Sequence, residues 1–157
     1  MKQRILFLCT GNSARSQMAE ALLPLIAGDH FEACSAGTCP AGLNPAAVEV
    51  MRELGVDIAG RRSKHVNEFL GQQFDYVITV CDRAKEMCPV FPAGSRLLHW
   101  SFDDPAALPE VRRRETFVRV RDEIADRICE FCIHEVKLAP QALRCYRCDE
   151  HKRGKEL

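Results

Sequence analysis

The stretch "ILFLCTGNSARSQMAEAL", Ile5 to Leu22, constrains the chain most. An apolar run reads as a buried strand and ends on Cys9. Six residues later comes Arg15, and from Ser16 the apolar residues Met18, Ala19, Leu22 and Ile26 recur at helical spacing. A strand that runs through a short polar loop into a helix makes an anion cradle. Backbone N–H groups of the loop form a concave nest, and the helix N-terminus adds its positive dipole end. Gly11 permits close approach of a ligand. Arg15 supplies a planar fork of donors suited to a tetrahedral oxyanion. Thiols beside helix N-termini and cations ionise more readily than free ones, so Cys9 is a candidate nucleophile facing the anion. Ser16 is placed to hydrogen-bond its sulfur, and Asn12 to hold the loop in shape. The expected oxyanion site is Thr10, Gly11, Asn12, Ser13, Ala14, Arg15 and Ser16.

The rest of the chain fits this start. Strand patterns cover Arg4 to Cys9, Phe31 to Ala36, Tyr76 to Val80 and Ser95 to Trp100. Between them lie a helix with Asn44 as N-cap, Pro45 at its first position and Gly55 past its end, and a short helix within residues 81–88. A long amphipathic helix is expected from Glu115 to Phe131, with Phe117, Val120, Ile124, Ile128 and Phe131 on one stripe. Strands alternating with helices predict a three-layer α/β fold, a four-stranded parallel sheet with helices on both faces. In such sheets ligands bind beyond the carboxyl ends of the strands. Cys9, Cys81 and the loop after Trp100 all fall there.

The 157 residues suggest one globular unit. We divide it into a domain at 1–132 and a Cys-rich extension at 133–157. Lys plus Arg and Asp plus Glu each total 22, which argues against a broad basic surface for nucleic acid. No apolar run is long enough to span a membrane, and "MKQRILFLC" does not read as a signal peptide. A cytoplasmic location is expected. Nine cysteines in a reducing compartment point to catalysis, redox work or metal binding rather than to a disulfide scaffold.

"CTGNSARSQMAE" resembles the phosphate-binding loop of the low-molecular-weight protein tyrosine phosphatase superfamily, and most closely that of the thioredoxin-coupled arsenate reductases built on that fold. "SAGT", "GLNPAAVEVMRELGVDI", "TVCDRAKEMCPVFP" and "HWSFDDPA" resemble the same reductases, in the same order. The resemblance covers about residues 1 to 130. It implies that arsenate, with phosphate or sulfate as a mimic, binds the loop. It implies that Asp104 is the general acid and base, with Asp103 as the neighbouring alternative. It further implies a relay: Cys9 forms a thiol–arsenate adduct, Cys81 attacks Cys9 and releases arsenite, Cys88 captures Cys81, and thioredoxin reduces the Cys81–Cys88 disulfide. No catalytic cofactor is expected. Spacing adds one point. If residues 81–88 form one continuous helix, seven residues separate the two α-carbons by about 10 Å, while a disulfide needs less than about 7 Å. The segment 81–88 must therefore unwind to close that bond.

Some relatives hold potassium beside the loop. Here Asn12 and Glu20 match part of that set, but Arg62 and Lys64 occupy the later positions. A lysine ammonium can neutralise Glu20 instead, and no potassium dependence is expected. The alternatives to a reductase are a tyrosine phosphatase of the same fold and an arsenite- or metal-binding sensor. The sensor reading rests on two C-x2-C pairs, Cys129 with Cys132 and Cys145 with Cys148, a spacing shared with structural zinc sites. His134 and His151 are substitute ligands. Structural zinc, a redox or arsenite-binding tail, and unpaired thiols all remain open for these four. Cys34 and Cys39 receive no role, and His99 and Trp100 are expected to pack at the strand end.

Overall fold

The computed structural model describes residues 1–144. Four strands, β1 (Gln3–Cys9), β2 (Phe31–Gly37), β3 (Tyr76–Thr79) and β4 (Arg96–His99), form one sheet in the order β2-β1-β3-β4. All three pairings are parallel. The α-helices are α1 (Arg15–Ala27), α2 (Pro45–Arg52), α3 (Asp82–Glu86) and α4 (Glu110–His134). The expected α/β architecture is therefore present.

The period-two alternation of β1 divides the core. Ile5, Phe7 and Cys9 face a large cluster completed by Leu22 and Ile26 of α1, Val50 and Met51 of α2, and Phe117, Ile124 and Ile128 of α4. Leu6 and Leu8 face a smaller cluster with Val66, Phe74, Val77 and Phe91, against which Cys88 packs. Trp100 is buried with Phe7 and Phe131 and carries the Arg127 guanidinium 4.8 Å above its ring. It packs as expected.

Local rules set the ends of the elements. Asn44 caps α2 by accepting from Ala46 N–H at 2.9 Å, and Pro45 takes the first helical position. The long helix α4 begins at Glu110, five residues before the expected start. Its first turn, Glu-Val-Arg-Arg-Arg, has no apolar stripe to reveal it, yet Glu and Arg are good helix formers. After α4 the chain turns back. Val136, Leu138 and Leu143 pack on the large cluster, and Arg144 N–H donates to Ile26 O at 2.8 Å.

Among the described residues no helix is long and apolar enough to cross a membrane.

Candidate active site

The site lies at the carboxyl edge of the sheet, where β1 ends at Cys9. The loop from Cys9 to Ser13 is fixed from outside by its carbonyls. Those of Cys9, Thr10, Gly11 and Ser13 accept from the N–H groups of Thr38, Cys39, Ala41 and Asn44 at 2.8–3.2 Å. The Asn12 carbonyl accepts from Ser63 Oγ at 2.7 Å. No peptide in the described chain is cis. In a trans peptide the N–H points opposite to the carbonyl, so the amides of residues 10–14 turn inward. One of them, Asn12 N–H, donates to Cys9 Sγ at 3.1 Å. The N-cap of α1 is Ala14, which provides no side-chain cap, so the helix leaves its first N–H groups to the cradle.

The loop presses so closely on β2 that a Cβ at Gly37 would come within 2.4 Å of Thr10 O. Only glycine fits there.

Asn12 is fully buried and adopts φ 45°, a left-handed conformation that asparagine tolerates better than most residues. Its Oδ1 accepts from Lys64 N–H at 2.9 Å and from Gln17 Nε2 at 3.1 Å. Its Nδ2 donates to Ser16 Oγ at 2.8 Å and to Ser35 Oγ at 2.9 Å. With Asn12 donating to it, the Ser16 hydroxyl is free to give its own proton to Cys9 Sγ, 2.8 Å away. Both polar contacts expected from the sequence are therefore formed.

Behind this network Ser35 Oγ donates to Glu20 Oε2 at 3.0 Å. Lys64 Nζ lies 3.8 Å from the same carboxylate oxygen, and Arg61 Nη1 lies 3.2 Å from it. The expected lysine is in place. Arg61 is a second cation that sequence reasoning missed. Arg62 instead pairs with Glu68, whose carboxyl it holds down at about 2.

The loop after β4 supplies the opposite wall. Arg15 Nη1 donates to Phe102 O at 3.1 Å, and its Nη2 lies 3.9 Å from Asp104 Oδ2. Asp104 Oδ1 also caps a short 3-10 turn by accepting from Ala106 N–H at 3.0 Å. Asp103 pairs with Arg119 at 3.1 Å. Of the two adjacent carboxylates, Asp104 is the one beside the arginine.

Cys81 reaches the same edge from β3. Its sulfur lies 3.4 Å from Thr10 Oγ1 and accepts from Ala84 N–H at 3.4 Å as the N-cap of α3. Cys88 is half-buried, its thiol donates to Pro89 O at 3.5 Å, and burial pushes that thiol's pKa up.

His99 does more than pack at the strand end. Its Nε2 donates to Asp82 Oδ1 at 2.9 Å, and its Nδ1 lies 2.7 Å from Thr79 Oγ1. Residues 82 and 99 meet only because β3 and β4 are in register, with Thr79 beside His99, so no local pattern signals the contact.

The C-terminal thiols divide. Cys129 and Cys132 lie three residues apart on α4. Cys132 is wholly buried in the large cluster, and burial, followed by neighbouring Cys129, pushes its thiol up to about 12. Among the described residues no three His, Cys, Asp or Glu side chains form a group able to hold a metal. Cys145, Cys148 and His151 lie outside the described residues.

Comparison with known proteins adds independent information. Residues 4–142 match the family model for low molecular weight phosphotyrosine protein phosphatase. An arsenate reductase of Halalkalibacterium halodurans is 44% identical over 132 residues, covering 83% of this chain and 95% of that protein. A solved structure described as an arsenate reductase in oxidized state superposes with a TM-score of 0.71 at 29% identity, over 85% of this chain and 98% of that one. Another, described as an arsenate reductase in the phosphate binding state, gives 0.66 at 28% identity, over 80% and 93%.

Proposed function

We propose that this chain, which belongs to the low molecular weight phosphotyrosine protein phosphatase family, is an arsenate reductase, an enzyme that converts arsenate to arsenite. The loop amides and Arg15 hold the oxyanion. The Cys9 thiolate attacks arsenic, a hydroxide leaves, and Asp104 gives it the proton that makes it water. The Cys81 thiolate then attacks the sulfur of Cys9. A Cys9–Cys81 bond forms, the arsenic–sulfur pair of electrons stays on arsenic, and As(V) departs as As(III). Cys88 attacks Cys81, closes the Cys81–Cys88 disulfide and returns Cys9 as a thiolate. A dithiol of the thioredoxin class reduces that bond in the cytoplasm. Arsenate, two electrons and two protons thus become arsenite and water.

The relay rests on one observation above the others, the 3.4 Å contact between Thr10 Oγ1 and Cys81 Sγ. It sets the second thiol against the loop that carries the first. A phosphatase needs only Cys9, Arg15 and Asp104, and gives no reason for a thiol at that place.

Arsenate turnover with thioredoxin and a thioredoxin-regenerating system tests the reading. Cys9→Ser, Cys81→Ser and Cys88→Ser each abolish it. Arsenate turnover that survives in Cys81→Ser overturns the relay.

Catalysis is proposed to need no cofactor. Structural zinc at Cys129, Cys132, Cys145 and Cys148 is a separate proposal. The C-x2-C spacing supports it, while the buried, high-pKa thiol of Cys132 weighs against it. Metal analysis of the purified full-length chain decides it, with one zinc per chain for the site and none against it.

A further inference from the structure

The segment between Cys81 and Cys88 is weakly held. Within α3 only Ala84 is buried, while Met87 and Val90 beyond it are exposed. Beneath its second half lies a cavity of about 220 Å³. Val77, Thr79, Leu97 and His99 of the sheet line it from one side, and Lys85 and Cys88 from the other. Ala84 is buried in the large cluster and Cys88 packs on the small one, while the hollow lies between these two points of support.

Its polar attachment to the sheet converges on one side chain. Asp82 Oδ1 accepts from His99 Nε2 at 2.9 Å and from Ser101 Oγ at 3.3 Å. His99 is anchored in turn, through Nδ1, by the Thr79 hydroxyl on the neighbouring strand. The other hydrogen bonds of residues 82–88 given by the structure stay within the segment or reach Cys81 and Pro89. A strand-borne imidazole therefore clamps the first residue of α3, directly after Cys81.

We propose that His99, acting through Asp82, is a positioning residue that holds this segment wound in its dithiol form and so sets the redox potential of the Cys81/Cys88 couple. The inference rests on the relay reading. On this reading closing the Cys81–Cys88 bond unwinds α3, whose residues Asp82–Glu86 lie between the two thiols, and unwinding begins beside Asp82. A contact made only in the dithiol form stabilises that form. It raises the potential of the couple, resists premature closure, and makes the disulfide easier for a partner dithiol to reduce. Loss of the clamp has the opposite sign: the disulfide becomes easier to form and harder to reduce.

The test needs no arsenate. Full-length protein is equilibrated at fixed pH with graded mixtures of reduced and oxidised dithiothreitol, quenched with acid and alkylated. The Cys81–Cys88 peptide is then quantified by mass spectrometry. In each exchange, two protein thiols become a disulfide as the cyclic disulfide of the reagent opens to a dithiol. His99→Ala is expected to raise the equilibrium constant for disulfide formation about tenfold, a fall of about 30 mV. Asp82→Ala, an exposed position that keeps folding intact, is expected to match it. The double variant adds nothing further, because one contact is lost either way. His99→Gln, which retains a donor, returns part of the shift. Constants within threefold of wild type in Asp82→Ala overturn the proposal, as do single-variant shifts that add in the double variant. A wild-type chain that forms no Cys81–Cys88 disulfide at any ratio overturns the relay itself, and the clamp with it.

Discussion

The hydroxyl of Thr10 lies 3.4 Å from the sulfur of Cys81, though the two are 71 residues apart in sequence. Thr10 belongs to the anion loop and Cys81 caps α3, so this contact joins the proposed site of arsenate binding to the proposed site of reduction. Thr10→Val keeps the shape and removes the hydroxyl. Arsenite release is expected to slow roughly tenfold, the worth of one hydrogen bond of about 1.5 kcal/mol that holds the Cys81 sulfur in its attacking form. Binding of phosphate as a competing anion stays within twofold. Rapid-quench analysis beside inhibition by phosphate checks both; equal losses in the two would show that Thr10 serves the cradle rather than the relay.

Asn12 carries more of the loop than any other side chain. Asn12→Ala leaves the Lys64 amide without its acceptor, removes the donors to Ser16 and Ser35, and puts a Cβ-bearing residue without a stabilising side chain at φ 45°. Destabilisation of about 2–4 kcal/mol is expected. Asn12→Gly relieves the backbone and not the network, and falls between Ala and wild type. Urea unfolding measures the series; an Asn12→Ala midpoint equal to wild type contradicts this account.

Glu20 already has two cations, Arg61 Nη1 at 3.2 Å and Lys64 Nζ at 3.8 Å on one carboxylate oxygen. Replacing sodium chloride by potassium chloride at constant ionic strength is expected to leave reductase activity unchanged. A clear rise with potassium would show that the ammonium does not substitute for the ion.

Cys132 gives a pH prediction. Its thiol is raised to about 12 in the fold, against about 9 when exposed. The folded chain therefore keeps a proton that the unfolded chain has lost between these values. The stabilisation is full below about pH 9 and is lost as pH rises toward 12. Cys34 and Cys88, also raised by burial, act in the same direction. Stability should decline from pH 9 upward, and less steeply in Cys132→Val. Parallel declines in the two proteins, followed by urea midpoints from pH 8 to 11, would remove Cys132 as a cause.

The anion loop was legible because its causes are local. Strand, glycine, asparagine, arginine and helix lie within 18 residues of sequence, and each type has one evident use. Asp104 and the three-thiol order came through family resemblance, and the structure separates Asp104 from Asp103 by giving the latter to Arg119. The burial of Cys132 was also within reach, since it lies four residues beyond Ile128 on the apolar stripe of α4. Arg61 beside Glu20 and His99 beside Asp82 were not legible. Each partner is an ordinary surface-type residue, and only tertiary folding brings positions 41 and 17 apart in the chain together.

The outward-turned carbonyls of residues 9–13 have a cost for selectivity. A ring of amides set in advance by the neighbouring chain recognises negative charge and tetrahedral shape, and phosphate offers both. Phosphate is therefore a standing competitor that the first encounter cannot turn away. Discrimination has to come afterwards: in the proposed relay a sulfur arriving from position 81 leaves an electron pair on arsenic, and phosphorus will not take it.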